Sequence, residues 1–164
     1  DQMMILSVPN QILSDYETFK NELLNISGVK SSGGSSRVPS GQLLDSQGAM
    51  AEVNGEMLAT PVVIKVLSVD ADFIPNYQME LAGGRNFSKD FATDSASFVL
   101  NEKSVEVIGW KNALDAVGKN MTYAGVRGKV IGVVEDFHFE SLQSEISPII
   151  LVKPKGEFMM HSSI

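Results

Sequence analysis

Three side chains able to do chemistry stand at alternate positions late in the chain: Asp136, His138 and Glu140. In an extended segment, residues two apart share a face. The trio would then bring two carboxylates and an imidazole together, a donor set that suits a divalent cation. Against this, the cluster comes from one strand, and His161 is the sole other histidine. Polar alternation is also what a half-buried strand shows when its wet face meets water while Phe137 and Phe139 pack inward. The second reading is preferred, so no catalytic, cofactor-binding or metal residue is assigned.

Other chemistries fare no better. A hydrolase elbow of the form Gly-x-Ser-x-Gly is missing. Ser31 to Gly41 (Ser-Ser-Gly-Gly-Ser-Ser-Arg-Val-Pro-Ser-Gly) offers hydroxyls and glycines but neither a companion base nor the spacing of a phosphate-binding loop. Its composition reads as a strand end running into a flexible crossover. Arg85 follows two glycines and could hold a carboxylate; bracing a turn is the role expected of it. Acidic residues are plentiful, but nothing recommends one pair for glycoside chemistry. The eight methionines are scattered and read as core filling. Three Asn-x-Ser/Thr tripeptides, at Asn25, Asn86 and Asn120, are of a kind that arises often by chance. The expectation is a protein that is not an enzyme and has no cofactor.

Bulk composition narrows the classes further. The 164 residues suffice for one domain with a proper core, and 43% hydrophobic with 20% charged residues is ordinary for a globular chain. Thirteen Lys and Arg against twenty Asp and Glu leave a net charge of -7, which disfavours nucleic acid as a partner. Without cysteine there can be no disulfide, thiolate metal site or cysteine nucleophile. No apolar run is long enough to span a bilayer, and the first residues lack the features of a signal peptide. A chain that starts directly in a strand suggests a fragment of something longer.

The elements that must carry these residues follow from pattern. Met3 to Val8 reads as a strand. Ser14 and Glu17 have capping-box spacing before a helix whose apolar stripe is Tyr16, Phe19, Leu23 and Ile26, with Lys20, Asn21 and Glu22 on its other side and Gly28 as C-cap. A strand resumes at Val29, closing a β-α-β unit over residues 3–36. Two strands are expected around Asn54-Gly55, the second opened by Pro61 and running from Val62 to Val69. Asp72 is placed to cap a short helical turn through Tyr77, and Leu81 to Phe87 reads as a turn. Phe98 to Leu100 is a buried strand. Asn101 caps a helix through Ile108, Gly109 ends it, and Trp110 supplies the hydrophobic contact of a Schellman cap. Met121 to Tyr123 is expected to pair with Lys129 to Val134 across residues 124–128. The continuous apolar run Val130–Val134, with Gly132 allowing close backbone approach, reads as a strand buried on both faces. Pro148 to Val152 is a further strand, and another begins between Phe158 and Ile164. Strands alternating irregularly with few helices indicate an α+β fold.

Three ordered blocks then carry a resemblance: Leu81-Ala82-Gly83-Gly84-Arg85-Asn86-Phe87, Val99-Leu100-Asn101-Glu102 through Gly109-Trp110, and Val130-Ile131-Gly132-Val133-Val134-Glu135-Asp136-Phe137-His138-Phe139. Their order and spacing resemble the periplasmic core domain of MacB/FtsX-like ABC transporter permeases of the Bacteroidetes type. The opening β-α-β unit and residues 148–151 also fit. The resemblance implies a porter-like β-α-β part, residues 1–40 plus 145–164, and an inserted, mostly β lobe over residues 41–144. It further implies a non-catalytic extracytoplasmic domain at the periplasmic face of the inner membrane, which couples ATP-driven motion of transmembrane helices to partner or substrate handling. Implied partners are a cytoplasmic ATPase subunit, a second permease subunit and a periplasmic partner protein. Both flanking transmembrane helices and the second half of the porter-like part lie outside the sequence. The alternative from another class is a free-standing periplasmic ligand-binding module.

Overall fold

The apolar run at residues 130–134 sits at the middle of a nine-stranded mixed sheet. The computed structural model describes residues 3–38, 43, 46–139, 145–153 and 161–164. In chain order the strands are β1 (Ile5–Ser7), β2 (Gly33–Ser35), β3 (Ser46–Gln47), β4 (Ala49–Val53), β5 (Glu56–Ala59), β6 (Ile64–Ser68), β7 (Leu81–Gly84), β8 (Ser97–Asn101), β9 (Asn120–Tyr123), β10 (Val126–Val134), β11 (Ile149–Val152) and β12 (His161–Ser163). The helices are α1 (Tyr16–Leu24), α2 (Phe73–Asn76), α3 (Glu102–Ile108) and α4 (Ala113–Ala116). The large sheet runs β3-β6-β11-β8-β10-β9-β4-β5, with β7 paired to β10. One edge of β10 pairs in parallel with β8, and the other pairs first with β9 and then with β7.

Both faces are covered at the centre of this sheet, where Phe98–Leu100, Val130–Val134 and Ile149–Leu151 form runs without a charged or polar side chain. Phe98, Leu100, Val133 and Ile150 face Val105, Ile108 and Trp110, brought by α3 and its C-terminal turn. Val99, Val134, Ile149 and Leu151 face Phe73, Ile74, Phe87 and Phe139. Gly132 is needed because a Cβ there would lie 2.2 Å from the Arg85 carbonyl oxygen. Two tight hairpins close the antiparallel end. Asn54-Gly55 and Ala124-Gly125 all have positive φ, as the reversed two-residue turn requires.

The second sheet has three strands in the order β1-β12-β2. Both outer strands run antiparallel to β12 and so parallel to each other, joined by α1. This is a split β-α-β arrangement. The α+β expectation therefore holds, as do the β-α-β opening, the Asn54-Gly55 turn and the doubly buried run at Val130–Val134.

Several local expectations fail for identifiable reasons. Ser14 does not cap α1, because residues 10–15 form a 3-10 turn and the N-cap residue is Asp15, whose side chain makes no capping bond. Helix α1 stops at Leu24, with Gly28 left-handed four residues later, so Ile26 lies outside it and is exposed. Leu81–Gly84 is a strand on β10 and not a turn. The Asn54-Gly55 hairpin closes on β5, leaving β6 as a separate strand. Met121–Tyr123 pairs with Val126–Gly128 across a two-residue turn, closer than expected. Strand character ends at Val134, so residues 135–138 are not extended sheet. Ile149–Val152, grouped by sequence with residues 1–40, pairs instead between β6 and β8 in the large sheet. Of residues 145–164, β12 is the strand that joins the small sheet. Glu140 and residues 154–160, including Phe158, lie outside the described residues.

Candidate functional site

The two sheets meet at a polar joint built around a buried lysine. Tyr16, Lys20 and Leu23 fall at helical spacing on one face of α1, and all three are buried. Lys20 Nζ donates to Asp70 Oδ2 at 2.5 Å and to Asp72 Oδ2 at 2.6 Å. Asp72 also meets Lys89 at 2.9 Å, and Lys89 lies 3.8 Å from Glu17. The Lys20 side chain is 2% exposed and that of Asp70 9%, so this pair is shielded from water, whereas Asp72 at 40% reaches the surface.

These environments set the carboxyls apart. Burial pushes Asp70 above the ordinary range, and the Lys20 charge only partly offsets it. Burial acts on Asp72 in the same direction, but hydrogen bonds from Lys20 and Lys89 outweigh it and hold its carboxyl low. Burial, then the neighbouring Asp70 charge, raises the Tyr16 phenol and keeps it protonated.

Backbone and serine contacts complete the joint. The Asp70 N–H donates to the Gly34 carbonyl at 3.1 Å, and the Ser36 N–H to the Ser68 carbonyl at 2.9 Å. Ser35 bridges Val69 in antiparallel fashion. From α2, Asn76 Nδ2 donates to the Ser163 carbonyl at 2.8 Å, its Oδ1 accepts from Ser31 Oγ, and Tyr77 Oη meets Ser163 Oγ at 2.5 Å. Ser32 and Ser162 hydroxyls pair at 2.8 Å. The glycines are steric requirements here. A Cβ on Gly34 would lie 2.3 Å from Tyr16 Oη, and one on Gly33 2.9 Å from Phe73 Cα. In the serine-glycine stretch that reads as a strand end running into a flexible crossover, the strand end is Gly33–Ser35, buried and packed onto α2. Its small side chains serve close approach.

Of the sequence-derived trio, Asp136 and His138 are among the described residues. Asp136 Oδ1 accepts the Lys103 N–H at 2.8 Å, at the N-terminus of α3. His138 is exposed, and Glu140 lies outside the described residues. No group of three metal-ligating side chains occurs among the described residues. Arg85 does hold a carboxylate, donating to both oxygens of Asp94 at 2.9 and 2.7 Å, while the Ser88 N–H adds a third bond at 2.7 Å. Phe91 lies 4.9 Å under the guanidinium. This is the turn brace expected of Arg85, with its partner now known. Asp72, expected to cap α2 by its side chain, gives its carboxylate to the lysines instead. Sequence reasoning missed Lys20, which it placed on the solvent side. The available signal was its position four residues after Tyr16 and three before Leu23.

This two-sheet architecture is found in known structures. The periplasmic region of MacB from Actinobacillus actinomycetemcomitans aligns over 98% of this chain and 72% of its own, with a TM-score of 0.59 and 15% identity. The extracellular domain of the noncanonic ABC-type transporter YknZ from Gram-positive bacteria aligns over 99% and 82%, with a TM-score of 0.61 and 16% identity. The chain has the MacB-like periplasmic fold. A domain assigned to a permease protein of Porphyromonas gingivalis aligns over 85% of this chain and 61% of its own, with a TM-score of 0.53 and 18% identity. No family model and no curated protein matches the sequence. Within the MacB-like fold, the lysine joint ties the split β-α-β sheet to the larger sheet. It is made of oppositely charged groups, a serine pair and backbone bonds.

Proposed function

We propose that this chain is a non-catalytic extracytoplasmic domain of an ABC transporter permease that passes motion of membrane helices to a periplasmic partner or substrate. The observation that carries this reading is the likeness, over 98–99% of the chain, to extracytoplasmic domains of two ABC-type transporters. In this reading the split β-α-β sheet is the porter-like part, residues 1–40 with the C-terminal strand β12, and the larger sheet is the inserted lobe. In this reading attachment to the bilayer runs through transmembrane helices flanking the domain; no helix among the described residues is itself long and apolar enough to cross a membrane. The cytoplasmic ATPase subunit, a second permease subunit and a periplasmic partner protein are the assembly it implies. The Lys20 joint supports the mechanical part, because it links α1 of the small sheet to the Asp70–Asp72 segment of the large one and so favours a single geometry between them.

These 164 residues contain no cysteine, which makes the test direct. In the full-length gene product, with any cysteine outside them replaced by serine, Leu114→Cys places one thiol at a side chain 73% exposed. A membrane-impermeant maleimide should label it in intact cells after outer-membrane permeabilisation, and the protein should fractionate with the inner membrane. Labelling only after lysis, or recovery in the soluble fraction, overturns the proposal.

A further inference from the structure

Between α2 and the segment that follows β10 lies a pocket of about 170 Å³. Its floor is Phe73 and Phe139, both buried, and its walls are the half-buried Tyr77, Met79 and Phe137, with the exposed His138 beside them. The rings are pre-arranged in two tilted pairs: Phe73 and Tyr77 lie 4.6 Å apart, and Phe137 and Phe139 meet edge-on at 6.5 Å. No carboxylate or ammonium group is among the described residues that line it. The one hydroxyl among the lining side chains, Tyr77 Oη, is already committed to Ser163.

Size and chemistry together select the occupant. An apolar cavity of about 150 Å³ takes up a single benzene ring, whereas pockets for free ligands of drug size run from about 300 Å³ upward and carry a few converging polar groups. This pocket has ring size and, among its described lining, one free polar group, the His138 imidazole at its edge, which fits one side chain anchored by the rest of an interface. A cationic guest is disfavoured because no carboxylate is among the described lining residues. We propose that the pocket receives one neutral aromatic side chain, a phenyl or indole group, presented by a partner protein. The site also has a lever. Phe73 and Tyr77 line the pocket from α2, and the same helix and its C-cap hold Ser163 of the small sheet through Asn76 and Tyr77. A ring seated here bears directly on the element that joins the two sheets. The inference rests on the pocket's own chemistry and stands or falls separately from membrane attachment.

The test uses protein labelled with [methyl-13C]methionine and N-acetyl-tryptophanamide as probe. Saturable movement of the Met79 methyl signal is expected, with a Kd on the order of a millimolar for so small a guest. Met50 and Met57, 39% exposed on the antiparallel hairpin, should stay in place. Phe137→Leu, which keeps apolar volume but removes a ring, should weaken binding about threefold to tenfold. A Met79 signal that stays fixed up to the probe's solubility overturns the proposal. So does parallel movement of Met50 and Met57, unchanged binding in Phe137→Leu, or an equal response to tetramethylammonium, which would make the site a cation cage.

Discussion

Replacing Lys20 with methionine isolates what the joint contributes. The substitution keeps the apolar stem and removes the ammonium, leaving Asp70 buried without its counter-charge, while Asp72 keeps Lys89 at 2.9 Å. Breaking a buried pair by removing one partner costs about 3–5 kcal/mol. At a urea m-value of about 2 kcal/mol/M, that lowers the unfolding midpoint by about 1.5–2.5 M. The loss should also depend on pH in a defined direction. Asp70 already titrates above its ordinary range because of burial, and loss of Lys20 moves it higher still. A carboxyl whose native pKa exceeds its unfolded value favours the native state at low pH, and that contribution disappears as pH rises through the native value. The deficit of Lys20→Met should therefore be largest near pH 7 and shrink toward pH 5 and below. Pairing it with Asp70→Leu, which removes the stranded charge at similar volume, should recover much of the loss at pH 7. Urea titrations followed by circular dichroism at both pH values supply the numbers. A Lys20→Met deficit under about 1 kcal/mol at pH 7, or one that does not change with pH, would refute the argument that this pair is buried and strongly coupled.

Gly34→Ala should lose about 1–3 kcal/mol through overpacking against Tyr16 Oη, whereas Gly48→Ala, with nothing within 4 Å of the added Cβ, should be nearly neutral in the same thermal melts. Hydrogen bonds from Arg85, then from the Ser88 N–H, hold the Asp94 carboxyl low against the effect of its burial. Stability from that shift is present above the unfolded carboxyl's titration near about pH 4 and is lost as pH falls through the lower native value. Asp94→Asn should accordingly flatten the acid limb of the stability profile in urea titrations between pH 5 and 2, and an unaltered limb would remove Asp94 from its cause. Phe139→Ala, 3% exposed between the sheet and α2, should cost about 3–5 kcal/mol, and His138→Ala under about 0.5 kcal/mol, by chemical denaturation. The sequence pointed to Phe137 and Phe139 together as anchors of this segment, and both pack against the same core cluster, Phe139 buried and Phe137 half-buried.

Patterns confined to neighbouring residues were readable from the chain alone. The doubly buried run at Val130–Val134, the Asn101 cap whose Oδ1 accepts the Ser104 N–H at 3.1 Å, and the Schellman turn in which the Trp110 N–H reaches the Val105 carbonyl at 3.1 Å all follow from local sterics and hydrogen bonding. So does the Asn54-Gly55 turn, whose positive φ values few other dipeptides tolerate. The α+β class followed from how such elements alternate. Charge bounded the partners, and the missing cysteine bounded the chemistry.

What pairs across long separations was decided only in three dimensions. Lys20 and Asp70 are fifty residues apart, and no local rule tells a lysine on an amphipathic helix that its ammonium will be buried against one enclosed carboxylate and a second at the surface. The same holds for the burial of residues 32–35, whose serines and glycines suit a linker in water equally well as a segment pressed onto α2. Their role was set when β12, from the far end of the chain, inserted between β1 and β2 and supplied Ser162 and Ser163 as partners. Composition and period report the free energy of each segment with its solvent. The joint and the aromatic pocket depend on which segments exclude that solvent together.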